Sequence, residues 1–72
     1  MQTSLSQTSL TVNGEAVRTG ARTLADLVAS LGYDAASIAT AVNGDFVARG
    51  ARAARPLAEG DAVEIVAPRQ GG

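Results

Sequence analysis

The residues with the clearest chemical potential in this sequence are the last two, Gly71 and Gly72. A terminal carboxylate can be activated for acyl transfer, and two residues without Cβ atoms let it enter a narrow cleft in backbone conformations that other residues avoid. The six residues after Val66 extend to at most about 20 Å. This length predicts a tail that reaches another protein's active site while the folded part docks outside. The alternative is an ordinary chain end without a function.

Residue types on which most enzymes rely are missing from the chain. It contains no cysteine and no histidine, and all six of its basic residues are arginine. Zinc sites of the usual kind need thiolates or imidazoles, and thiol, Schiff-base and Ser-His catalysis need cysteine, lysine or histidine. We therefore predict no metal site and no enzymatic activity, and expect a chain that other enzymes use as a substrate.

The size and net charge of the chain indicate which classes of partner it does not suit. A chain of 72 residues forms one small domain, and domains of this size bury only about 60% of the surface of the unfolded chain. The net charge of −1 provides no field that attracts nucleic acid or an anionic membrane. No apolar run reaches the roughly 18 residues of a membrane span, and the N-terminus lacks the layout of a signal peptide. We expect a cytoplasmic protein.

Two Asn-Gly pairs, Asn13-Gly14 and Asn43-Gly44, predict two β-hairpins. Such pairs suit a type I′ turn, because both central residues of that turn need a positive φ. Each pair lies between short β-prone runs, which predict strands near residues 8–12, 15–18, 38–42 and 46–47. The alternative for the first pair is an isolated loop.

One helix is predicted at about residues 23–31. Its apolar residues recur at i, i+3, i+4 and i+7, which is one face of a helical period; they are Leu24, Leu27, Val28 and Leu31. Thr23 can cap the first turn, and Asp26 lies near the positive end of the helix dipole. Gly32 suits the left-handed conformation in which helices often end. We expect all four apolar side chains to face the core.

A last strand is predicted at about 62–66, after a loop at 50–56. Alternation along this strand points Val63 and Ile65 inward, and Pro68 ends it because proline cannot donate a hydrogen bond to a sheet. Parallel pairing of the first and last strands then gives an α+β fold, in which the helix packs on one face of a mixed sheet of four or five strands.

The domain boundaries follow from these elements. We expect a single domain at 1–66, with a frayed lead-in over residues 1–7. The remaining segment, 67–72, is predicted to be a flexible tail that ends in the two glycines.

Three segments taken together resemble the ThiS family. They are Val42-Asn43-Gly44-Asp45-Phe46-Val47-Ala48-Arg49, Leu57-Ala58-Glu59-Gly60-Asp61-Ala62-Val63-Glu64-Ile65-Val66 and the terminal Gly71-Gly72. The hairpin at 12–15 and the start of the helix at 23–28 are similar to the family as well. Each turn motif is weak alone, but their order in a short chain that ends in diglycine is specific. The departures are Ala48, where the family commonly has proline, and a polar lead-in of about seven residues.

The resemblance implies a ubiquitin-like β-grasp fold and the role of a sulfur carrier in thiamine biosynthesis. It implies that an E1-like adenylyltransferase of the ThiF type uses ATP and magnesium to convert the carboxylate of Gly72 into an acyl-adenylate. Sulfur from a cysteine-desulfurase relay then displaces AMP, and the resulting thiocarboxylate donates its sulfur to a thiazole synthase of the ThiG type. Gly71 provides access for the tail, and the carrier itself binds no cofactor.

The resemblance also implies an exposed apolar sheet surface that binds partners. Phe46 is the candidate for this surface, and the alternative is an ordinary core position. The candidates for contact with acidic partner surfaces or phosphates are arginines, namely Arg49, Arg69, Arg52 and Arg55. The alternative for these residues is plain solvated surface charge.

Two other functions stay open at this point. A MoaD-like carrier for molybdopterin, or a carrier for another sulfur metabolite, uses the same chemistry, although MoaD-like chains tend to be longer. A β-grasp interaction module or protein modifier uses the fold without the sulfur. The chain has no lysine, so a modifier of this sequence could be attached to other proteins but could not form lysine-linked polymers.

Overall fold

The structure, a computed structural model, describes residues 7–67. Its strands are β1 (Thr8–Val12), β2 (Glu15–Thr19), β3 (Ala39–Val42), β4 (Asp45–Val47) and β5 (Ala62–Val66), and its helix is α1 (Leu24–Ser30). Two short 3-10 helices lie at Ala35–Ser37 and Arg49–Ala54. The predicted order of strands and helix is confirmed. Of the predicted frayed lead-in and flexible tail, only Gln7 and Ala67 lie within the described residues.

The five strands form one mixed sheet in the order β2-β1-β5-β3-β4. β1 and β5 are parallel, with Thr11 opposite Ala62 and Val12 opposite Val63, as the sequence predicts. The other neighbours are antiparallel. The last strand in the chain is therefore the central strand of the sheet.

The core lies between one face of the sheet and α1. Leu24, Leu27 and Val28 are at most 2% exposed, and Val63 and Ile65 on β5 pack with them. Full burial of an aliphatic side chain contributes about 1.5–3 kcal/mol, so these five residues supply much of the stability of a small domain. The predicted inward direction of Val63 and Ile65 is confirmed.

The ends of α1 follow local signals, with one exception. The Oγ1 atom of Thr23 accepts a hydrogen bond from the Asp26 backbone N–H at 3.2 Å, and Gly32 has a φ of +84°, as expected. The expectation for Leu31 is wrong: this side chain is 41% exposed. Leu31 is the C-cap, so the chain turns away at Gly32 before the fourth apolar residue can reach the core.

The segment predicted as a loop at 50–56 is largely a 3-10 helix, Arg49–Ala54, and that expectation is corrected. Backbone hydrogen bonds tie the residues after this helix to the start of α1. The Leu24 N–H donates to the Arg55 carbonyl at 2.9 Å, and the Leu57 N–H donates to the Arg22 carbonyl at 3.0 Å. These bonds join residues more than thirty positions apart, so local sequence periodicity cannot reveal them.

Candidate functional site

The tail begins at the end of the central strand. β5 ends at Val66 and has β1 on one side and β3 on the other. Gly71 and Gly72, and also Arg69, lie outside the described residues. The structure therefore describes the platform from which the predicted reactive tail extends, rather than the tail itself.

The first Asn-Gly turn is bonded to this platform through a side chain. Asn13 and Gly14 have φ values of +52° and +86°, which the predicted type I′ turn requires. The amide of Asn13 also makes two hydrogen bonds to the backbone of Ile65. Its Oδ1 accepts from the Ile65 N–H at 2.9 Å, and its Nδ2 donates to the Ile65 carbonyl at 3.0 Å.

The asparagine side chain of the second Asn-Gly turn also makes two hydrogen bonds, at the opposite end of β5. Asn43 and Gly44 have φ values of +53° and +86°. The Oδ1 of Asn43 accepts from the Ala62 N–H at 2.9 Å, and its Nδ2 donates to a carboxylate oxygen of Asp61 at 2.9 Å. Sequence reasoning identified both turns but missed these bonds. The available signal was the choice of asparagine in both turns, because a side-chain amide has a separate acceptor oxygen and donor nitrogen and can pair with both groups of a backbone.

Phe46 lies on the open face of the sheet, away from α1. The next residue, Val47, is buried, and successive side chains of a strand point to opposite faces. Phe46 is 73% exposed, so the alternative of an ordinary core position is wrong. Val66 lies on the same face by alternation with the buried Ile65, and it is 59% exposed.

Small side chains occupy the middle of this open face. Phe46 stands opposite Ala41, and Ala41 stands opposite Glu64 on β5. Further along, Val66 stands opposite Ala39. Apart from Glu64, these positions are apolar, with a large side chain on β4 and another where the tail begins. We call the set Ala39, Ala41, Phe46 and Val66 the open-face patch.

Arg52 is a structural residue, so its proposed contact with partners or phosphates is wrong. It is only 3% exposed. Its guanidinium donates to the Thr40 hydroxyl at 3.0 Å and to the carbonyl oxygens of Ala35 and Ile38 at 3.0 and 2.8 Å. These bonds fasten the second 3-10 helix to the first and to β3.

The other two candidate arginines within the described residues differ in exposure. Arg49 is exposed at the start of the second 3-10 helix, and Arg55 is half-buried. Near Arg49, the pKa of Asp34 lies below its usual value, mainly because the Ser37 hydroxyl and the Ala36 N–H donate to the carboxylate, with a smaller effect of the Arg49 charge. Arg49 is thus exposed to a partner, although its positive charge is also attracted to the carboxylate of Asp34.

We expect the Arg52→Met variant to lower the free energy of unfolding by about 2–4 kcal/mol, because it leaves buried acceptors on Thr40, Ala35 and Ile38 without their charged donor. Arg49→Met is the matched control, since Arg49 is exposed, and should change stability by less than about 0.5 kcal/mol. Urea unfolding of both variants checks this. Equal stability losses in the two variants would contradict the role of Arg52.

Two further features were sought among the described residues, a metal-binding cluster and a membrane-spanning helix. Within residues 7–67, no group of three acidic side chains is placed to hold a metal ion. No helix in that part of the chain is long and apolar enough to cross a membrane.

Known proteins resemble this chain in sequence and in structure. The solved structure of a thiamine biosynthesis protein, ThiS from Geobacter metallireducens, is similar with a TM-score of 0.75 and 32% sequence identity, over 89% of this chain and 99% of that one. No curated protein matches the chain at a significant level. The model of the ThiS family matches residues 9–72, and the chain therefore belongs to the ThiS family, the β-grasp sulfur carriers of thiamine biosynthesis.

Proposed function

We propose that this protein carries sulfur as a thiocarboxylate on Gly72 and donates it for thiazole formation. The observation that carries the proposal is the family match, which extends through the terminal Gly71-Gly72 to residue 72. The central position of β5 supports it, because a tail that continues from a central strand starts from a firmly held point. Gly71 serves as the residue that lets the tail pass through a narrow active-site cleft.

The chemistry proceeds in two steps on partner enzymes. A carboxylate oxygen of Gly72 attacks the α-phosphate of ATP on an E1-like enzyme of the ThiF type, and magnesium pyrophosphate leaves. The terminal sulfur of a persulfide from a cysteine-desulfurase relay then attacks the carbonyl carbon and AMP leaves, which gives an acyl disulfide. A second thiol attacks the cysteine sulfur of this acyl disulfide, a disulfide between the two thiols forms, and the thiocarboxylate is released. Activation is necessary because a free carboxylate resists nucleophilic attack, whereas a mixed anhydride does not. A thiazole synthase of the ThiG type accepts the sulfur.

In this scheme the carrier is a co-substrate and contributes no catalytic group. Its folded part provides recognition, for which we propose the open-face patch around Phe46. Arg49 lies on the α1 side of the sheet, where it lines a cavity with Ala29 and Tyr33, so its proposed pairing with an acidic group of the partner is a contact separate from the open-face patch. Arg69 on the tail is proposed to make such a contact closer to the active site. Because all of these partners act on a metabolite pathway inside the cell, the cytoplasm remains the predicted location.

The test is the intact mass of the protein after incubation with its E1-like partner, ATP, magnesium and a sulfur source. We expect a mass gain equal to the replacement of one oxygen by sulfur, and none when ATP is omitted. Covalent adducts with other proteins in place of this gain would favour a protein modifier. A chain left unchanged would refute the carrier function. Transfer of the sulfur to a molybdopterin synthase, but not to a thiazole synthase, would contradict the assignment to thiamine.

A further inference from the structure

We propose that the side chain of Asn13 determines the direction in which the tail leaves the sheet, and that Asn13 is thereby a positioning residue for the activation of Gly72. The inference rests on the proposed function, because the direction of the tail matters only if its terminus reacts.

The backbone pairing of β1 with β5 stops before β5 does. Backbone N–H groups of Thr11 and Asn13 donate to the carbonyl oxygens of Asp61 and Val63 at 3.0 and 2.9 Å. If β1 continued, the Asn13 carbonyl would accept from the Ile65 N–H, and a later N–H of β1 would donate to the Ile65 carbonyl. The chain instead turns back at Asn13, where φ is +52°.

The side chain of Asn13 supplies both of the missing bonds. Its Oδ1 takes the place of the backbone carbonyl toward the Ile65 N–H, and its Nδ2 takes the place of the later N–H toward the Ile65 carbonyl, at 2.9 and 3.0 Å. A side-chain amide has the same donor and acceptor groups as a peptide unit. Asn13 therefore extends the ladder of β1 by one step along β5.

These two hydrogen bonds hold the end of β5 against β1 just before the tail. The N–H and C=O of successive strand residues point to opposite sides, so the backbone groups of Ile65 that face Asn13 are turned away from β3. Without the Asn13 amide, both groups lose their partners, and the strand end is held on the β3 side alone, where Val66 pairs with Ala39.

The end of β5 is the point from which the tail reaches into the active site of a docked enzyme. Gly72 is six residues beyond Val66, and six residues extend to at most about 20 Å. A strand end that shifts or frays therefore changes where the terminus can reach. Acyl-adenylate formation requires the carboxylate within bonding approach of a phosphate, and a displacement of about 1 Å can cost up to roughly 10²-fold in rate. Loss of the Asn13 amide should therefore lower kcat, since the open-face patch still binds the enzyme.

Asn43 provides a matched control within the same chain. It has the same turn conformation, with a φ of +53°, and its amide also makes two hydrogen bonds. One is to the Ala62 backbone N–H at the start of β5, and the other is to the carboxylate of Asp61, just before the strand. Replacement of either asparagine by glycine keeps a residue that accepts a positive φ and removes only the amide.

The experiment compares Asn13→Gly and Asn43→Gly as substrates of the E1-like partner, by ATP–pyrophosphate exchange at varied carrier concentration. For Asn13→Gly we expect kcat to fall roughly tenfold with KM nearly unchanged, and for Asn43→Gly we expect kcat close to wild type. Hydrogen exchange of the free proteins gives a second readout. Amide exchange at Ile65 should accelerate only in Asn13→Gly, and amide exchange at Ala62 only in Asn43→Gly.

Asn13→Asp is a second variant for the case in which Asn13→Gly does not fold. Aspartate suits the same turn but sets a carboxylate oxygen against the Ile65 carbonyl, so we expect a similar loss of kcat. Wild-type kcat in the Asn13 variants, or equal losses in the Asn43 variant, would overturn the positioning role. A wild-type chain that supports no exchange of pyrophosphate would instead overturn the proposed function, and the hydrogen-exchange result at Ile65 separates these two failures.

Discussion

Deletion of Gly72 should abolish thiocarboxylate formation while leaving the free energy of unfolding unchanged. The deletion does not remove the carboxylate, because Gly71 then ends the chain. It withdraws the carboxylate by about 3.5 Å, the length of one residue. Reaction requires approach to within a fraction of that distance, so we expect the rate of adenylation to fall by at least about 10²-fold.

The same reasoning predicts that a longer tail also fails. Addition of one glycine after Gly72 keeps the two-glycine end but moves the carboxylate past the phosphate, so this variant should also lose thiocarboxylate formation. Intact mass after incubation with the E1-like partner, ATP and a sulfur source measures both variants, and urea unfolding confirms that the fold is unaffected. A shortened chain that gains sulfur at the wild-type rate would show that the position of the terminus does not limit the reaction.

Replacement of Phe46 by alanine should weaken binding to the E1-like partner by roughly tenfold to a hundredfold. Large aromatic side chains dominate the binding energy of protein interfaces, and truncation of one at a central position typically costs 2 kcal/mol or more, or about thirtyfold. Phe46 is 73% exposed in the free chain, so its removal leaves no cavity. We therefore expect a loss of affinity without a loss of stability.

Tyr33 is a matched control for Phe46, because these are the two aromatic residues of the chain and they lie on different sides of the molecule. Tyr33 follows α1 and is 37% exposed, on the side opposite the open-face patch. Affinity for the partner, measured by calorimetry, should change much less in Tyr33→Ala than in Phe46→Ala. Comparable losses in both variants would argue against docking through the open face.

The two hairpins and the helix could be predicted because their signals are local. A type I′ turn needs two residues that accept a positive φ, and both Asn-Gly pairs meet that need within two positions. Thr23 caps α1 through a hydrogen bond to a residue three positions away. Interactions of this range are visible in the order of residues alone.

The roles of the Arg52 and Asn13 side chains could not be predicted in the same way. Arg52 looked like a surface charge, yet its acceptors on Ala35, Ile38 and Thr40 lie 12 to 17 residues away. Asn13 contacts Ile65 across 52 residues. No periodicity connects such pairs, because they meet only in the folded chain. Arg52 meets its acceptors where the second 3-10 helix packs near β3, and Asn13 meets Ile65 because the sheet places β1 beside β5.

The sequence by itself indicated the chemistry that we propose for this protein. It has no cysteine, histidine or lysine and ends in Gly71-Gly72, and the proposed function places the sulfur on the terminal carboxylate. The tertiary structure decided what holds the strand that precedes the tail. Because β1 and β5 pair in parallel at the centre of the sheet, the first turn comes to lie beside the last strand, and a side chain near the start of the chain holds the residues from which the tail extends.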